Sequence, residues 1–199
     1  MDATSLNKRI AARVRELRDA QNLSLEALAK TTGVSRSMIS LIERAECSPT
    51  AVVLEKLSVG LGVVLASFFD VPTNEQASRS PLARAKDQPL WRDPESGYIR
   101  RNVSPAGPPR AGQIVEVEFP AGVRVVFDSS ARNTVIHQQV WVLEGSMEIG
   151  VGDERHRLQP GDCLLMQHNK PILFHNPTHK TARYAVVTVP EAEGKRSKR

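Results

Sequence analysis

The chain has 199 residues, 40% of them hydrophobic and 25% charged, with a net charge of +5. This is the make-up of a globular protein of one large or two small domains, and it argues against a disordered, fibrous or disulfide-stapled chain. No apolar run approaches the ~20 residues that span a bilayer, and the N-terminus enters a charged helical pattern rather than a signal peptide, so no membrane partner and a cytoplasmic location are expected.

In chain order, Leu6, Ile10, Val14 and Leu17 recur at helical spacing, with Lys8, Arg9, Arg13, Arg15 and Arg18 on the other face. The stretch LSLEALAKTTGVSRSMISLIERAECSP from Leu23 to Pro49 then reads as a helix-turn-helix. Ser24 is the expected N-cap of a short helix ending near Thr32, Gly33 supplies the left-handed turn position, Val34 plugs the small core, and Ser35 starts the second helix. In that helix Met38, Ile39 and Ile42 form the expected inward stripe. Arg36, Ser37, Ser40, Leu41 and Arg44 face outward, where arginines reach guanine or phosphate, serines contact bases and a leucine packs on a thymine methyl. Ser48-Pro49 is the expected N-cap and first position of a further helix with Leu54, Leu57 and Leu61 inward, stopped by Gly62. Leu65 to Phe69 is expected to close the bundle. Residues 1 to 70 hold nine basic and eight acidic side chains, so placement on helix faces, not net charge, argues for DNA.

Five short helices with the GVSxxxIS and IER blocks at these offsets resemble the XRE family of bacterial and phage repressors from Asn7 to Asp70. The resemblance implies a five-helix DNA-binding domain with its third helix in the major groove and its second helix's N-terminus against phosphate. It implies that Arg36, Ser37, Ser40 and Leu41 read bases and that Ser24 and Leu25 lie near phosphate; Arg44 on the same outward face and Ser35 at the start of the helix complete the expected DNA-facing set. Ala45 departs from the glycine usual after the Glu-Arg pair, which bears on the local turn.

Helical periodicity disappears after Val71, where Pro, Ser, Arg and Asp accumulate; residues 71–87 are expected to be linker. Pro89 to Arg92 and Tyr98 to Val103 are candidate early strands. From Gln113 the pattern has period two: Gln113 to Phe119, Val123 to Phe127, Val135 to Leu143, Met147 to Val151, Arg155 to Leu158, Cys163 to Gln167, Ile172 to His175 and Ala182 to Val189. Gly152-Asp153 and Pro160-Gly161-Asp162 are hairpin-type turns. Short strands without intervening helices indicate an antiparallel barrel or double-sheet roll. The fold class expected is therefore α+β multidomain, an all-α lambda-repressor-like domain (6–70) followed by an all-β one (88–190). The end, GKRSKR, within 191–199, is a basic tail expected to be solvated and disordered.

The blocks VLEG, LxPGD and HNP, within Gln113 to Pro190, look like a cupin. Such a protein resembles bacterial transcription factors, usually dimeric, whose barrel senses a small molecule or sets oligomeric state, and whose members govern amino-acid, polyamine or sulfur metabolism. Many cupins are metalloenzymes, but counting from Gly145 and Asp162 puts Arg132, Thr134, Gln138 and Ile172 at the usual ligand positions. No metal or other cofactor is therefore expected. The five histidines, including His137 and His175 beside those positions, are read as surface or strand-face residues. Cys47 and Cys163 have no metal-type spacing and read as reduced thiols.

The expected protein is a non-enzymatic regulator binding a palindromic double-stranded operator as a homodimer in the bacterial nucleoid, its barrel sensing a small anionic effector. Arg132 would hold a carboxylate, Thr134 and Gln138 would orient it, and Trp141 and Ile172 would give apolar contact. Two alternatives stand beside it: a metal-dependent cupin oxygenase or isomerase fused to a DNA-binding domain, and a cupin acting only as a dimerisation module.

Overall fold

The computed structural model describes residues 3–69, 80–105, 112–128, 130 and 136–190. Its helical part comprises α1 (Ala3–Ala20), α2 (Leu25–Thr32), α3 (Arg36–Glu43), α4 (Ala51–Gly60) and a 3-10 turn, Leu65–Phe69. Leu6, Ile10 and Val14 bury one stripe of α1 against Leu28, Ile39, Ile42, Leu54 and Leu57. That stripe follows from the i, i+4 spacing of apolar residues.

The caps are local and legible. Ser24 Oγ accepts from Ala27 N at 3.1 Å and Ser35 Oγ from Met38 N at 3.2 Å. Gly33, at φ 67°, ends α2 in the left-handed region. Two expectations about this part need correction. α4 is capped by Thr50, with Pro49 outside the helix, because the Thr50 hydroxyl reaches Val53 N; Ser48 Oγ instead donates to Asn7. Met38 is not inward but 36% exposed, lying at the edge of the stripe beside Cys47. Three of the arginines on the other face of α1 are tied into the fold: Arg9 and Arg13 donate to the carbonyls of Phe69 and Ser67, and Arg18 holds Glu43.

The second part is a double sheet. One sheet has the order β1-β2-β3-β10-β5-β8 and the other β4-β9-β6-β7. These strands are β1 (Leu90–Arg92), β2 (Ile99–Asn102), β3 (Gln113–Phe119), β4 (Arg124–Asp128), β5 (Ile136–Glu144), β6 (Met147–Val151), β7 (Glu154–Leu158), β8 (Cys163–Gln167), β9 (Pro171–His175) and β10 (Ala182–Pro190). All pairings are antiparallel. Alternation buries Val115, Val117 and Phe119 of β3, Val140 and Val142 of β5, and Ile149 of β6 between the sheets. Gly145 is obligatory at the β5–β6 turn, since its φ is +75° and a Cβ there would lie 2.9 Å from Ala182 Cα. The two-part α+β architecture expected from the sequence is the one observed.

The two parts pack on each other. The Ala51 N–H, an orphan donor in the first turn of α4, donates to the Asp93 carboxylate at 2.8 Å, and a carboxylate there also favours the helix dipole. Phe69 packs on Trp91 with ring centroids 5.7 Å apart, and Trp91 on Tyr98 at 5.8 Å. Tyr98 stacks on Phe119 at 5.6 Å, so an aromatic row runs from the last helical turn into the barrel. No helix among the described residues is long and apolar enough to cross a membrane.

Candidate nucleic-acid interface and barrel cavity

The helical surface that could meet DNA is built on α3. Its inward residues, Ile39 and Ile42, are buried, while Arg36 and Ser37 are exposed and Ser40 and Leu41 half-buried on the opposite side. Ser35 and Ser37 lie 3.1 Å apart through their hydroxyls at the start of the helix. A wide groove between the N-terminal ends of α2 and α3 is lined by Ser24, Lys30, Ser35 and Arg36 among others. Ser24 spends its hydroxyl on the cap, and Leu25 turns its side chain partly onto the core, so what these two positions offer outward is the amide end of α2.

The cations on this surface differ. Arg36 has no ion-pair partner among the described residues, whereas Arg44 grips Glu46 through two nitrogens at 2.7 and 2.8 Å and donates to Ser40 Oγ at 2.5 Å. The Arg44 hydrogen bond holds the Glu46 carboxyl below its ordinary pKa. Arg44 therefore meets any phosphate only after sharing its charge with Glu46.

A second site lies where α4 and the residues after it cover the barrel. A cavity of about 60 Å³ is bounded on the helical side by Glu55 and Val64 to Ala66, and on the barrel side by Tyr98, Arg100, Gln138, His168, Tyr184 and several apolar residues. Gln138, buried on β5, shares a hydrogen bond between its Oε1 and His168 Nε2, and the other ring nitrogen of His168 faces Glu55 Oε1 at 3.8 Å. Arg100 stands over the Phe69 ring with its guanidinium carbon 5.6 Å from the centroid, and its Nε lacks a hydrogen-bond partner. Burial lowers the Arg100 pKa and pushes the Tyr98 and Tyr184 phenols well above theirs.

The effector constellation expected from the sequence is only partly assembled. Arg132 and Thr134 lie outside the described residues. Gln138 does line the cavity. Ile172 is fully buried but spends its side chain on the barrel core, paired with Phe127 and Val151. Trp141 is a correction: it stands three residues from Gln138, so strand alternation turns it to the outer face, where it is 50% exposed between buried Val140 and Val142.

His168 is a second correction, because it is largely buried at the cavity rather than on the surface. His137 pairs across to Gln167 and Val189, half-buried, and His175 faces Glu148 at 3.7 Å. Gln138 and Ile172, two of the four expected metal positions, present an amide and an alkyl group. No group of three or more His, Cys, Asp or Glu side chains placed to hold a metal occurs among the described residues.

Three lining residues escaped the sequence reading. Arg100 had a usable signal, since Tyr98 and Arg100 share one face by period two and Tyr98 is an evident core residue. Glu55 sits beside Leu54 and Leu57 on a helix whose polar exceptions look like surface. His168 lies beyond the end of β8, where no periodicity applies.

Comparison with known proteins bears on both sites. A helix-turn-helix family model matches residues 14–68 and a cupin domain family model residues 129–188. The chain is 22% identical over 180 residues to the HTH-type transcriptional regulator SutR of Escherichia coli, covering 90% of this chain and 94% of SutR. It is 26% identical over 168 residues to the HTH-type transcriptional regulator PuuR of Escherichia coli, covering 82% and 85% of the two chains. Among solved structures it is similar to an HTH_3 family transcriptional regulator from Vibrio cholerae, with a TM-score of 0.73 and 26% identity, over 96% of this chain and 100% of that one.

Proposed function

This chain is a helix-turn-helix transcriptional regulator with a C-terminal cupin domain, and we propose that it reads a two-fold symmetric operator as a homodimer while the barrel senses a small molecule. The observation that carries the reading is α3, whose core face is sealed by Ile39 and Ile42 while Arg36 and Ser37 stand clear of the protein. A helix so presented fits the major groove, with Arg36 on guanine or phosphate, Ser37 and Ser40 on base edges, Leu41 on a thymine methyl, and the Ser24–Leu25 end of α2 against the backbone.

A single such domain buries a modest area on DNA, and two half-sites about one helical turn apart give the affinity a regulator needs. The surface we assign to dimerisation is the outer face of the six-stranded sheet. There Trp141 (50% exposed), Leu165 (63%), Ile114 (43%) and Val189 (45%) leave apolar area open. Leu165 and Ile114 fall in one row across the sheet, through Gln139 and Val187. Contiguous exposed apolar area of this kind marks an interaction surface.

The barrel is read as a sensor rather than an enzyme, because the cavity holds one imidazole, one carboxylate and a guanidinium. A fixed cation there disfavours a divalent metal. The experiment that tests the function is selection of bound fragments from genomic DNA, followed by footprinting. A protected palindrome that Arg36→Ala binds more weakly, with base preference relaxed at one position in each half-site, is the expected result, and a single asymmetric half-site would overturn the dimeric reading.

A further inference from the structure

We infer that the cavity under α4 is a site for a short organic carboxylate, anchored by Arg100 and read directly by the helical domain through Glu55. The inference rests on the reading of the barrel as an effector domain and specifies what the effector is. Arg100 faces no carboxylate within ion-pair distance among the described residues and its Nε has no hydrogen-bond partner; what offsets its charge is the Phe69 ring face and, at longer range across the cavity, the Glu55 carboxylate. A guanidinium cannot shed its proton to escape such a setting. The Tyr98 and Tyr184 side chains flank it in the same cavity, and both phenols stay protonated at neutral pH and so able to donate. Arg100 and the two phenols thus offer donors from one side of the cavity, which suits an oxyanion, and a planar carboxylate accepts two parallel bonds from arginine.

Size narrows the class further. At roughly 10–15 Å³ per water, the 60 Å³ cavity holds on the order of four to six water-sized groups, which suits acetate to pyruvate or alanine rather than a sugar or nucleotide. Phe119, Phe127 and Phe174 offer an apolar wall for a short carbon chain, and Gln138 adds a polar side chain to the same lining. Because Glu55 and Val64 to Ala66 close the same cavity from the helical side, a bound molecule touches both domains. Its differential affinity for the two domain arrangements is then what shifts DNA binding, and the coupling is reciprocal.

The test uses the full chain in carboxylate-free chloride buffer. Acetate, propionate, lactate, pyruvate, glycine and alanine are titrated by calorimetry and thermal shift, with ethylamine as a cationic control. At least one carboxylate should bind saturably and change operator affinity. Arg100→Met should weaken binding tenfold or more and abolish the effect on DNA, while Tyr184→Phe, which keeps the ring in place, should weaken it severalfold. Should Arg100→Met not fold, the Tyr184→Phe loss together with no response to ethylamine carries the decision. Absence of saturable carboxylate binding, or binding unchanged in either variant, overturns the inference. Saturable binding of ethylamine alone overturns the anion class while leaving the barrel a sensor.

Discussion

Arg18 of α1 and Glu43 of α3 form a two-point ion pair, with Nε to Oε1 at 2.7 Å and Nη2 to Oε2 at 2.9 Å. The side chains are only 13% and 9% exposed, and Arg18 Nη1 also donates to the Leu23 carbonyl at 2.8 Å. Planar fork geometry fixes direction as well as distance, so the last turn of α3 is pinned to α1.

Breaking that pair leaves a nearly buried carboxylate alone. Arg18→Met should therefore cost about 2–4 kcal/mol, toward the lower part of what buried pairs show because the site retains some water. Arg18→Lys should recover little, since an ammonium cannot satisfy both Glu43 oxygens and the Leu23 carbonyl in one plane. Urea denaturation of the two variants measures this; a loss below half a kcal/mol in Arg18→Met would show that the pair is a surface contact.

Ala45 follows the Glu43-Arg44 pair with φ at +56°, a left-handed conformation that costs an L-residue roughly 1–2 kcal/mol. Ala45→Gly removes that strain but loosens the unfolded chain by roughly 0.5–1 kcal/mol, so a net gain of about 0–1.5 kcal/mol, centred below 1, is expected. The melting temperature should rise with operator affinity unchanged. A drop would mean that the turn relaxes to negative φ in solution.

Arg36 and Arg44 differ in their neighbours and should differ in effect. Arg36→Ala is expected to cost about 1–3 kcal/mol in specific binding and to relax base preference at one position in each half-site. Arg44→Ala should cost less, because Glu46 already shares its charge. Competition binding against unrelated DNA at two salt concentrations separates base reading from phosphate contact. Equal losses at the two arginines would place the groove contact further along α3 than proposed.

The outer-sheet assignment is tested with Trp141→Ser and Leu165→Ser together. Both side chains face away from the cavity, so sedimentation velocity should shift from dimer to monomer while the barrel's melting behaviour and small-molecule binding persist. A variant that stays dimeric would move the interface to another face.

The sequence by itself determined everything whose cause is local. The Ser24 and Ser35 caps, the Gly33 turn and the Ile39/Ile42 stripe are decided within one or two turns of chain, so spacing reveals them. The strands announce themselves the same way, because alternation encodes which face is inward without reference to a partner. The Thr50 cap shows the limit of such reading: Ser48 and Thr50 are both acceptable caps by composition, and geometry at one amide chose between them. What only the tertiary structure decided is who meets whom. Glu55, Arg100, Gln138 and His168 come from a helix, two different interior strands of one sheet and a turn, and they share a cavity because α4 docks through Ala51 and Asp93 onto the barrel. Periodicity assigns each residue a face but carries no information about the surface that face is pressed against, which depends on how two hydrophobic cores are packed together.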